Sequence, residues 1–353
     1  MDLDNTSNFS RIDAQDMLSH IEGLPSQLQT AWELGQRSPL PAWEGIERVL
    51  VAGMGGSAIG ADLAAAYLAP HCPVPLVVHR NYTLPAWAKG ARTLVIACSH
   101  SGDTEEALAA FESATAHECR ALAITTGGKL GQASQRAGAP LWQYKYQAQP
   151  RAAVGFLFGL LLAALTRLGM ASNPSAELQA AIQAMRAQQK NLRPDVPVVN
   201  NPAKRMAGQL YGRLVTVFGA DILEPVARRW KSQINEIAKA WGQFEPLPEA
   251  DHNTLAGSTN PEETLARLMA LFLRAPSSHP RNQLRTNLTK QTFMLAGLNT
   301  DFIDAQGASP LAHQWTTLHL GDYTAYYLAM AYDVDPTPVE AIAGFKQEMS
   351  SQI

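Results

Sequence analysis

Two short segments rich in glycine and hydroxyl side chains, each directly after an apolar run, constrain this chain most. Residues 53–60 read GMGGSAIG after the run 48–52, and residues 99–104 read SHSGDT after the run 93–98. A strand that turns directly into a helix points unpaired backbone N–H groups and the positive end of the helix dipole at one place, which suits an anion. Two such turns in one parallel sheet can surround a single phosphate.

The residue types in both segments fit this interpretation. Glycine allows the backbone to approach a ligand closely, and hydroxyl groups add hydrogen-bond donors. The hydroxyl candidates are Ser57, Ser99, Ser101 and Thr104. The alternative is that both segments are only tight strand-to-helix turns without a ligand.

Length and composition describe a globular chain with a large core. The 353 residues are 46% hydrophobic and 17% charged, which predicts two domains. A net charge of −3, with no basic run interleaved with aromatic residues, makes nucleic-acid binding unexpected. Three scattered cysteines form neither a disulfide framework nor a zinc site and indicate a reducing compartment.

No segment predicts export or a membrane span. The N-terminal residues lack a basic and then apolar signal pattern, so we expect a cytoplasmic protein. The longest uncharged stretch, residues 152–166, falls short of the roughly 20 residues that cross a bilayer. We expect it to be a buried helix.

Apolar runs alternate with helical stretches along the chain. Such alternation predicts parallel sheets with helices on both faces. An amphipathic segment, 13–34, is expected to be a helix across the outside of the first domain, and the polar, proline-interrupted stretch 191–197 is the best linker. The sequence therefore predicts an α/β protein of two doubly wound parallel-sheet domains, 1–190 and 191–353, with flanking helices. The predicted strands are 48–52, 74–79, 93–98, 120–125, 214–219, 265–273 (equally compatible with a helix) and 301–303; later helices are 281–297, 311–332 and 339–349.

Nucleotide sites are the main alternative for the first loop. Gly53, Gly55 and Ala58 satisfy a loose dinucleotide fingerprint, but the next strand ends in His79 and Arg80 where NAD binding favours an acidic residue. The second hydroxyl-rich loop also stays unexplained by that interpretation. A Walker loop is excluded because no Gly-Lys-Ser or Gly-Lys-Thr occurs.

Three further residues could carry chemistry. Arg151 opens an apolar helix where the dipole disfavours a cation, which indicates a nearby anion or, equally, a snorkelling side chain. Glu236 either forms an ordinary surface pair with Lys239 or acts as a general base. His252 lies in a polar loop and is either an exposed histidine or an acid-base group. Histidine spacing supplies no metal-ligand pattern, so no metal is expected.

Taken together, these residues resemble the bifunctional phosphoglucose/phosphomannose isomerase family, which is built from two sugar-isomerase (SIS) domains of flavodoxin-like type. The resemblance covers nearly the whole chain, and the order and spacing of its motifs are specific. The motifs are GMGGS at 53–57, SxSGxT at 99–104, QPR at 149–151, RWK at 229–231, NExAK at 235–239, HN at 252–253, GDY at 321–323 and DPTPV at 335–339.

The resemblance implies roles for particular residues. Gly56, Ser57, Ser99, Ser101 and Thr104 would bind the sugar phosphate. Arg151 would stabilise negative charge on an enediolate, and Glu236 would move the proton between C1 and C2. His252 of a neighbouring subunit would open the sugar ring with help from Lys346. A homodimer that acts on small sugar phosphates without a cofactor is implied.

Four positions bear on how far the resemblance extends. Ile237 stands where the family has asparagine, which changes the surroundings of Glu236. His100 and Asp103 replace the family's Tyr and Asn, and Asp103 weakens phosphate binding unless its side chain points away. Thr337 is the nearest candidate for the family's threonine linked to the mannose epimer.

The sequence thus predicts an aldose-ketose isomerase that interconverts fructose 6-phosphate with glucose 6-phosphate and mannose 6-phosphate. Two rivals remain at this point. One is a sugar-phosphate sensor that has lost the chemistry, against which the retained Glu236, His252 and Arg151 argue. The other is an isomerase of amino-sugar phosphates.

Overall fold

The computed structural model describes residues 2–351 as two parallel sheets joined by a shared helical layer. The strands are β1 Arg48–Ala52, β2 Leu76–His79, β3 Thr93–Ser99, β4 Arg120–Thr125, β5 Leu141–Gln143, β6 Leu214–Ala220, β7 Gly242–Leu247, β8 Leu268–Arg274 and β9 Asn299–Asp304. The helices are α1 Phe9–Ile12, α2 Met17–Glu22, α3 Leu24–Arg37, α4 Gly55–Leu68, α5 Glu105–Ala116, α6 Gly128–Arg136, α7 Val154–Arg167, α8 Ser175–Gln189, α9 Pro202–Leu210, α10 Glu224–Glu236, α11 Glu262–Leu265, α12 Pro280–Leu295, α13 Pro310–Tyr332 and α14 Glu340–Ser351.

The first sheet has the strand order β2-β1-β3-β4-β5, with every neighbouring pair parallel. Its central strand β3 is buried along its whole length, as expected of a continuous apolar run covered on both faces. From β1 the chain adds β2 on one side and then crosses to add β3 on the other. The crevice between β1 and β3 is therefore the switch point of a flavodoxin-like sheet, where ligands bind.

The second sheet repeats this plan with the order β7-β6-β8-β9, again all parallel. Its switch point lies between β6 and β8. There Asp221, at a left-handed φ of 51°, accepts a hydrogen bond of 2.9 Å from the backbone N–H of His279 and one of 2.8 Å from the Asn282 side chain. The second crevice is thus occupied by a carboxylate of the chain itself.

Helix α7 forms the centre of the helical layer. The stretch Pro150–Arg167 is the one helical segment within residues 2–351 that is long and apolar enough to cross a membrane (mean hydropathy 1.3), and 83% of it lies inside the protein. Every side chain from 154 to 165 is buried, which confirms the expected buried helix.

The N-terminal segment differs from its prediction. The expected single helix 13–34 on the outside is two helices, α2 and α3, divided at Gly23, and α3 lies against α7. Leu28 and Ala31 of α3 are completely buried. Glycines explain this close packing: a Cβ placed on Gly159 of α7 would lie 2.6 Å from the Ala31 Cβ.

Most predicted strands are confirmed, and the run 265–273 is the strand Leu268–Arg274 preceded by the single turn α11, so the helical alternative is wrong. The sequence patterns do not predict two of the edge strands, β5 and β7. β5 has only three residues, and β7 contains Pro246, a residue that sheets accept mainly at their edges. Helix α13 packs against α4, which follows β1 of the first sheet, and against α10, which follows β6 of the second. The division at residue 190 stays a prediction.

Replacing Gly159 by alanine tests the close contact of α3 and α7. Because the added methyl group overlaps Ala31, we expect the free energy of unfolding to fall by about 1–3 kcal/mol. The matched control is Gly208→Ala in α9, where a Cβ meets open space and removing a helical glycine stabilises by up to about 1 kcal/mol. Urea titrations of both variants measure the difference, and equal effects would contradict the packing argument.

Candidate active site

The crevice between β1 and β3 is built to receive an anion. Helices α4 and α5 begin there, and the residues before them, Met54 and Thr104, make no side-chain cap hydrogen bond. Elsewhere α9 and α13 begin with side-chain caps from Asn201 and Ser309. Apart from the Ser57 N–H, which donates to the Met54 carbonyl oxygen at 3.0 Å, the first N–H groups of α4 and α5 are therefore available to an anionic ligand.

The hydroxyl side chains predicted at this crevice fall into two groups. Ser57 and Ser99 are buried and hold the loops: Ser57 Oγ accepts from the His100 N–H at 3.2 Å, and Ser99 Oγ accepts from the Gly102 N–H at 3.0 Å. Ser99 also donates to Thr104 Oγ1 at 2.9 Å. Ser101 is exposed and Thr104 half-buried, so these two hydroxyls are the accessible ones.

His100 connects the second loop to the segment that carries Arg151. Its imidazole is buried, with Nδ1 2.9 Å from the Tyr144 hydroxyl and Nε2 2.9 Å from the Ala148 carbonyl oxygen. These contacts fit a neutral ring that donates from Nε2 and accepts at Nδ1. Burial lowers the pKa of the imidazole, and its hydrogen bond to Ala148 opposes that shift. His100 is therefore a brace of the site.

Asp103 is engaged away from the loop's own N–H groups. Its Oδ1 accepts from the backbone N–H of Lys129, in the first turn of α6, at 3.1 Å. The carboxylate thus supports the start of a neighbouring helix. In this orientation it does not compete with a phosphate for the N–H groups of its own loop, which is the condition set for phosphate binding.

Gly56 allows the first loop to lie directly against Arg151. A Cβ on Gly56 would lie 2.5 Å from the Pro150 carbonyl oxygen and 2.8 Å from the Arg151 nitrogen. Any larger residue here would push the start of α4 away from that segment. The same contact places the Arg151 backbone beside the anion crevice.

Arg151 joins the two halves of the site. Its side chain is 2% exposed, and Nη2 donates to the carbonyl oxygens of Pro336 at 2.8 Å and Thr337 at 2.5 Å. Nη1 lies 3.6 Å from Oε2 of Glu236, an ion pair longer than a hydrogen bond. Burial lowers the pKa of the guanidinium, and the Glu236 carboxylate acts in the opposite direction.

Glu236 is the last residue of α10, and its side chain keeps 26% of its surface exposed. Of the two alternatives for Glu236, the ordinary surface pair with Lys239 is wrong. Helix α10 ends at Glu236 and Lys239 adopts a left-handed φ of 54°, which turns its ammonium to the carbonyl oxygens of Glu236 at 2.6 Å and Pro336 at 3.3 Å. The carboxylate is left to Arg151 and to whatever enters the site.

Lys239 itself is a residue whose place the sequence does not predict. Partial loss of hydration, together with the nearby Arg151 charge, lowers the pKa of its amine to about 8. Its position in the NExAK motif is visible in the sequence, but the turn that directs it to backbone carbonyls depends on where α10 ends.

Helix α10 is held by a buried bidentate ion pair to α13. Arg229 and Asp322 are both 2% exposed and meet through two hydrogen bonds of 3.1 and 2.8 Å. Trp230 adds a 2.9 Å hydrogen bond to the Thr317 carbonyl oxygen. Because two rigid contacts fix one helix, the carboxylate at its end is fixed as well.

His252 and Lys346 lie apart from this cluster. Asn235 accepts from the Gly242 N–H at 2.7 Å, so β7 begins beside Glu236, whereas His252 follows the far end of the same strand. Six residues of strand put these two places roughly 20 Å apart. Both His252 and Lys346 are exposed, and no hydrogen bond or ion pair within residues 2–351 joins either side chain to Arg151 or Glu236.

Comparison with known proteins places this arrangement in a family. A family model described as the bacterial phospho-glucose isomerase C-terminal SIS domain matches residues 199–349. The bifunctional phosphoglucose/phosphomannose isomerase of Caldicellulosiruptor bescii is 35% identical over 338 residues, which cover 95% of this chain and 99% of the relative. The chain belongs to the bifunctional phosphoglucose/phosphomannose isomerase family.

A second member of the bifunctional phosphoglucose/phosphomannose isomerase family, from Aquifex aeolicus, is 31% identical over 330 residues, 93% of this chain and 97% of the relative. Among solved structures, a hypothetical protein from Thermus thermophilus shares the fold with a TM-score of 0.75. It is 16% identical, and the match covers 99% of this chain and 93% of that one. The predicted fold class and family are thereby confirmed.

Mild acid is expected to lower the free energy of unfolding through protonation of His100. The folded state holds this imidazole neutral with a lowered pKa, so protons bind the unfolded chain preferentially and stability falls as pH drops through about 6.5. We expect His100→Gln to lose less unfolding free energy than wild type between pH 7.5 and 5.5, measured by urea titration. The exposed His71→Gln serves as the control and should follow wild type. A wild-type-like response of the His100 variant would contradict this assignment.

Proposed function

We propose that this chain interconverts fructose 6-phosphate with glucose 6-phosphate and mannose 6-phosphate. The observation that carries this proposal is the position of Arg151, beside the anion crevice on one side and 3.6 Å from the Glu236 carboxylate on the other. A phosphate bound in the crevice would thereby hold the rest of the substrate next to a base, Glu236, and a fixed cation, Arg151. That is the arrangement that proton transfer beside a carbonyl requires.

The reaction follows from these groups. The Glu236 carboxylate takes a proton from the carbon next to the open-chain carbonyl, and the electron pair of that C–H bond forms the C1–C2 double bond of a cis-enediolate. The former carbonyl oxygen gains negative charge, which the Arg151 guanidinium stabilises. The hydroxyl proton on the oxygen of the deprotonated carbon passes to the former carbonyl oxygen, and Glu236 returns its proton to the former carbonyl carbon, so that the oxygen of the deprotonated carbon becomes the new carbonyl oxygen. From fructose 6-phosphate the carbon that gains this proton is C2, and protonation on one face or the other gives the glucose or the mannose epimer.

The phosphate contacts are proposed for both loops. The Gly56 N–H and the hydroxyls of Ser101 and Thr104 are the proposed phosphate donors. Ser57, whose N–H donates to the Met54 carbonyl oxygen at 3.0 Å, and Ser99 hold the two loops in shape. Thr337 is buried and presents its carbonyl to Arg151. This contact supports the proposal that Thr337 influences which epimer is formed.

The proposed enzyme is a homodimer that completes each site with His252 of a second copy. A distance of roughly 20 Å along β7 separates His252 from Glu236 of its own chain. Ring opening needs an acid-base group at the sugar, and a histidine from a second copy can supply it. Lys346, on the exposed helix α14, is proposed to assist from a neighbouring position.

Glu236→Gln is the direct test of the base. We expect kcat with fructose 6-phosphate to fall by about 10²- to 10⁴-fold, because the amide cannot accept the proton. Glu224→Gln, the same change at the opposite end of α10, should keep activity. Sugar analysis of the products, with a chelator present, measures both epimers.

Other results of this assay would favour the rivals. Binding of the sugar phosphate by a folded wild type without turnover would leave the sensor, and turnover of amino-sugar phosphates alone would leave the amino-sugar isomerase. The family matches favour neither.

Co-expression of Glu236→Gln with His252→Ala tests the shared site. Each variant alone is expected to keep only a small residual activity. Random pairing makes half of the dimers mixed, and each mixed dimer holds one site with both wild-type residues, so about a quarter of wild-type activity should return. A mixture of folded variants that stays at the residual level would contradict the donation of His252 between copies.

A further inference from the structure

The loop that carries His252 is fixed on both sides by buried apolar side chains. Ala250 is completely buried and Leu255 is partly buried, and both pack into a small core with Phe218 and Phe293. Between these two anchors His252 is exposed. The loop therefore projects the imidazole from a rigid base.

A carboxylate next to the histidine ties this loop to helix α12. Asp251 keeps 9% of its side-chain surface exposed and accepts two hydrogen bonds, from Arg285 Nη1 at 2.9 Å and from Thr289 Oγ1 at 2.6 Å. Thr289 is itself buried, and its one hydroxyl proton is shared between Asp251 and the Arg285 carbonyl oxygen, which lies 2.8 Å away. One carboxylate thus joins the loop to two successive turns of a 16-residue helix.

We propose that Asp251 is a positioning residue for His252: held by Arg285 and Thr289 of α12, it sets the direction in which the neighbouring imidazole leaves the loop. The inference rests on the proposed function, in which His252 opens the sugar ring of a second copy. Asp251 itself touches no substrate.

The hydrogen bonds from Arg285 and Thr289 to Asp251 form a clamp on the loop, and the need for it follows from the exposure of His252. The imidazole has no hydrogen-bond partner within residues 2–351, so its placement comes from the backbone beneath it. Misplacing a catalytic group by about 1 Å can cost on the order of 10²-fold in rate. Two charge-assisted or short hydrogen bonds at the adjacent residue limit that movement.

The clamp also differs from an ordinary surface ion pair. In the same half of the chain Arg274 and Asp304 form a bidentate pair with hydrogen bonds of 2.7 and 2.8 Å, but the Asp304 side chain is 66% exposed. Such exposed pairs contribute little. Asp304 is therefore a matched control, since the same substitution there also removes an arginine partner.

The test is a double-mutant cycle of Asp251→Asn and His252→Ala, assayed as kcat and KM for fructose 6-phosphate on the intact chain. We expect Asp251→Asn alone to lower kcat about 10²-fold, with KM nearly unchanged because the phosphate crevice belongs to the other sheet. In the His252→Ala background the same change should cause no further loss. Asp304→Asn should keep wild-type kcat.

Three outcomes would overturn the inference: wild-type kcat in Asp251→Asn, losses that multiply in the double variant, or an unaffected His252→Ala enzyme. A purely structural role predicts the multiplied losses, since it would act regardless of His252. If Asp251→Asn does not fold, Thr289→Val is tested in the same cycle. Loss of the hydrogen bond from Thr289 to Asp251 should lower kcat by up to about tenfold, again only when His252 is present.

Failure of this inference is distinguishable from failure of the proposed function. Turnover by wild type that is lost in Glu236→Gln, together with normal activity in Asp251→Asn, rejects the clamp and keeps the isomerase. An inactive wild type rejects both.

Discussion

The burial of one guanidinium is the constraint on which the site depends. A charge removed from water is costly unless it is paired and hydrogen-bonded, and Arg151 is 2% exposed. The contact joins three distant segments: the turn before α7, which carries Arg151 itself, the carbonyls of residues 336 and 337, and the carboxylate that ends α10. The two sheets cannot shift relative to one another without leaving this cation unpaired.

The burial of Arg151 also decides which edge of each sheet contributes to the site. The first sheet offers its carboxyl edge, where α4 and α5 begin. The second offers the opposite edge, because α10 runs back from the end of β6 and delivers Glu236 next to the start of β7. The site is thus assembled from unlike parts of two similar sheets, which explains why the carboxyl edge of the second sheet, with His252, faces elsewhere.

Local patterns in the sequence are enough to predict the strands that surround the anion crevice, since apolar runs and glycine turns encode them directly. They also single out Arg151 and Glu236, but not that the two meet, because 85 residues separate them and only packing brings them together. The alternative in which Lys239 pairs with Glu236 fails because i to i+3 spacing applies only while the helix continues, and α10 ends at residue 236. The N-terminal helix is predicted to lie outside because its own polar residues do not reveal how small the facing residues of α7 are.

The carboxylate of Asp221 makes the second crevice differ from the first, because it occupies the place where an anion would bind. Asp221 is an anion attached to the chain, and it accepts hydrogen bonds from the His279 N–H and from Asn282 at the start of α12. Because it is tethered, its effective concentration at this crevice stays high whatever the protein concentration. A free phosphate arriving there would have to displace it and would meet a like charge. Although the chain contains two sheets of the same winding, their crevices differ: the first is left open to an anion, and the second is filled by Asp221, so the second sheet contributes to the site through Glu236 at the end of α10.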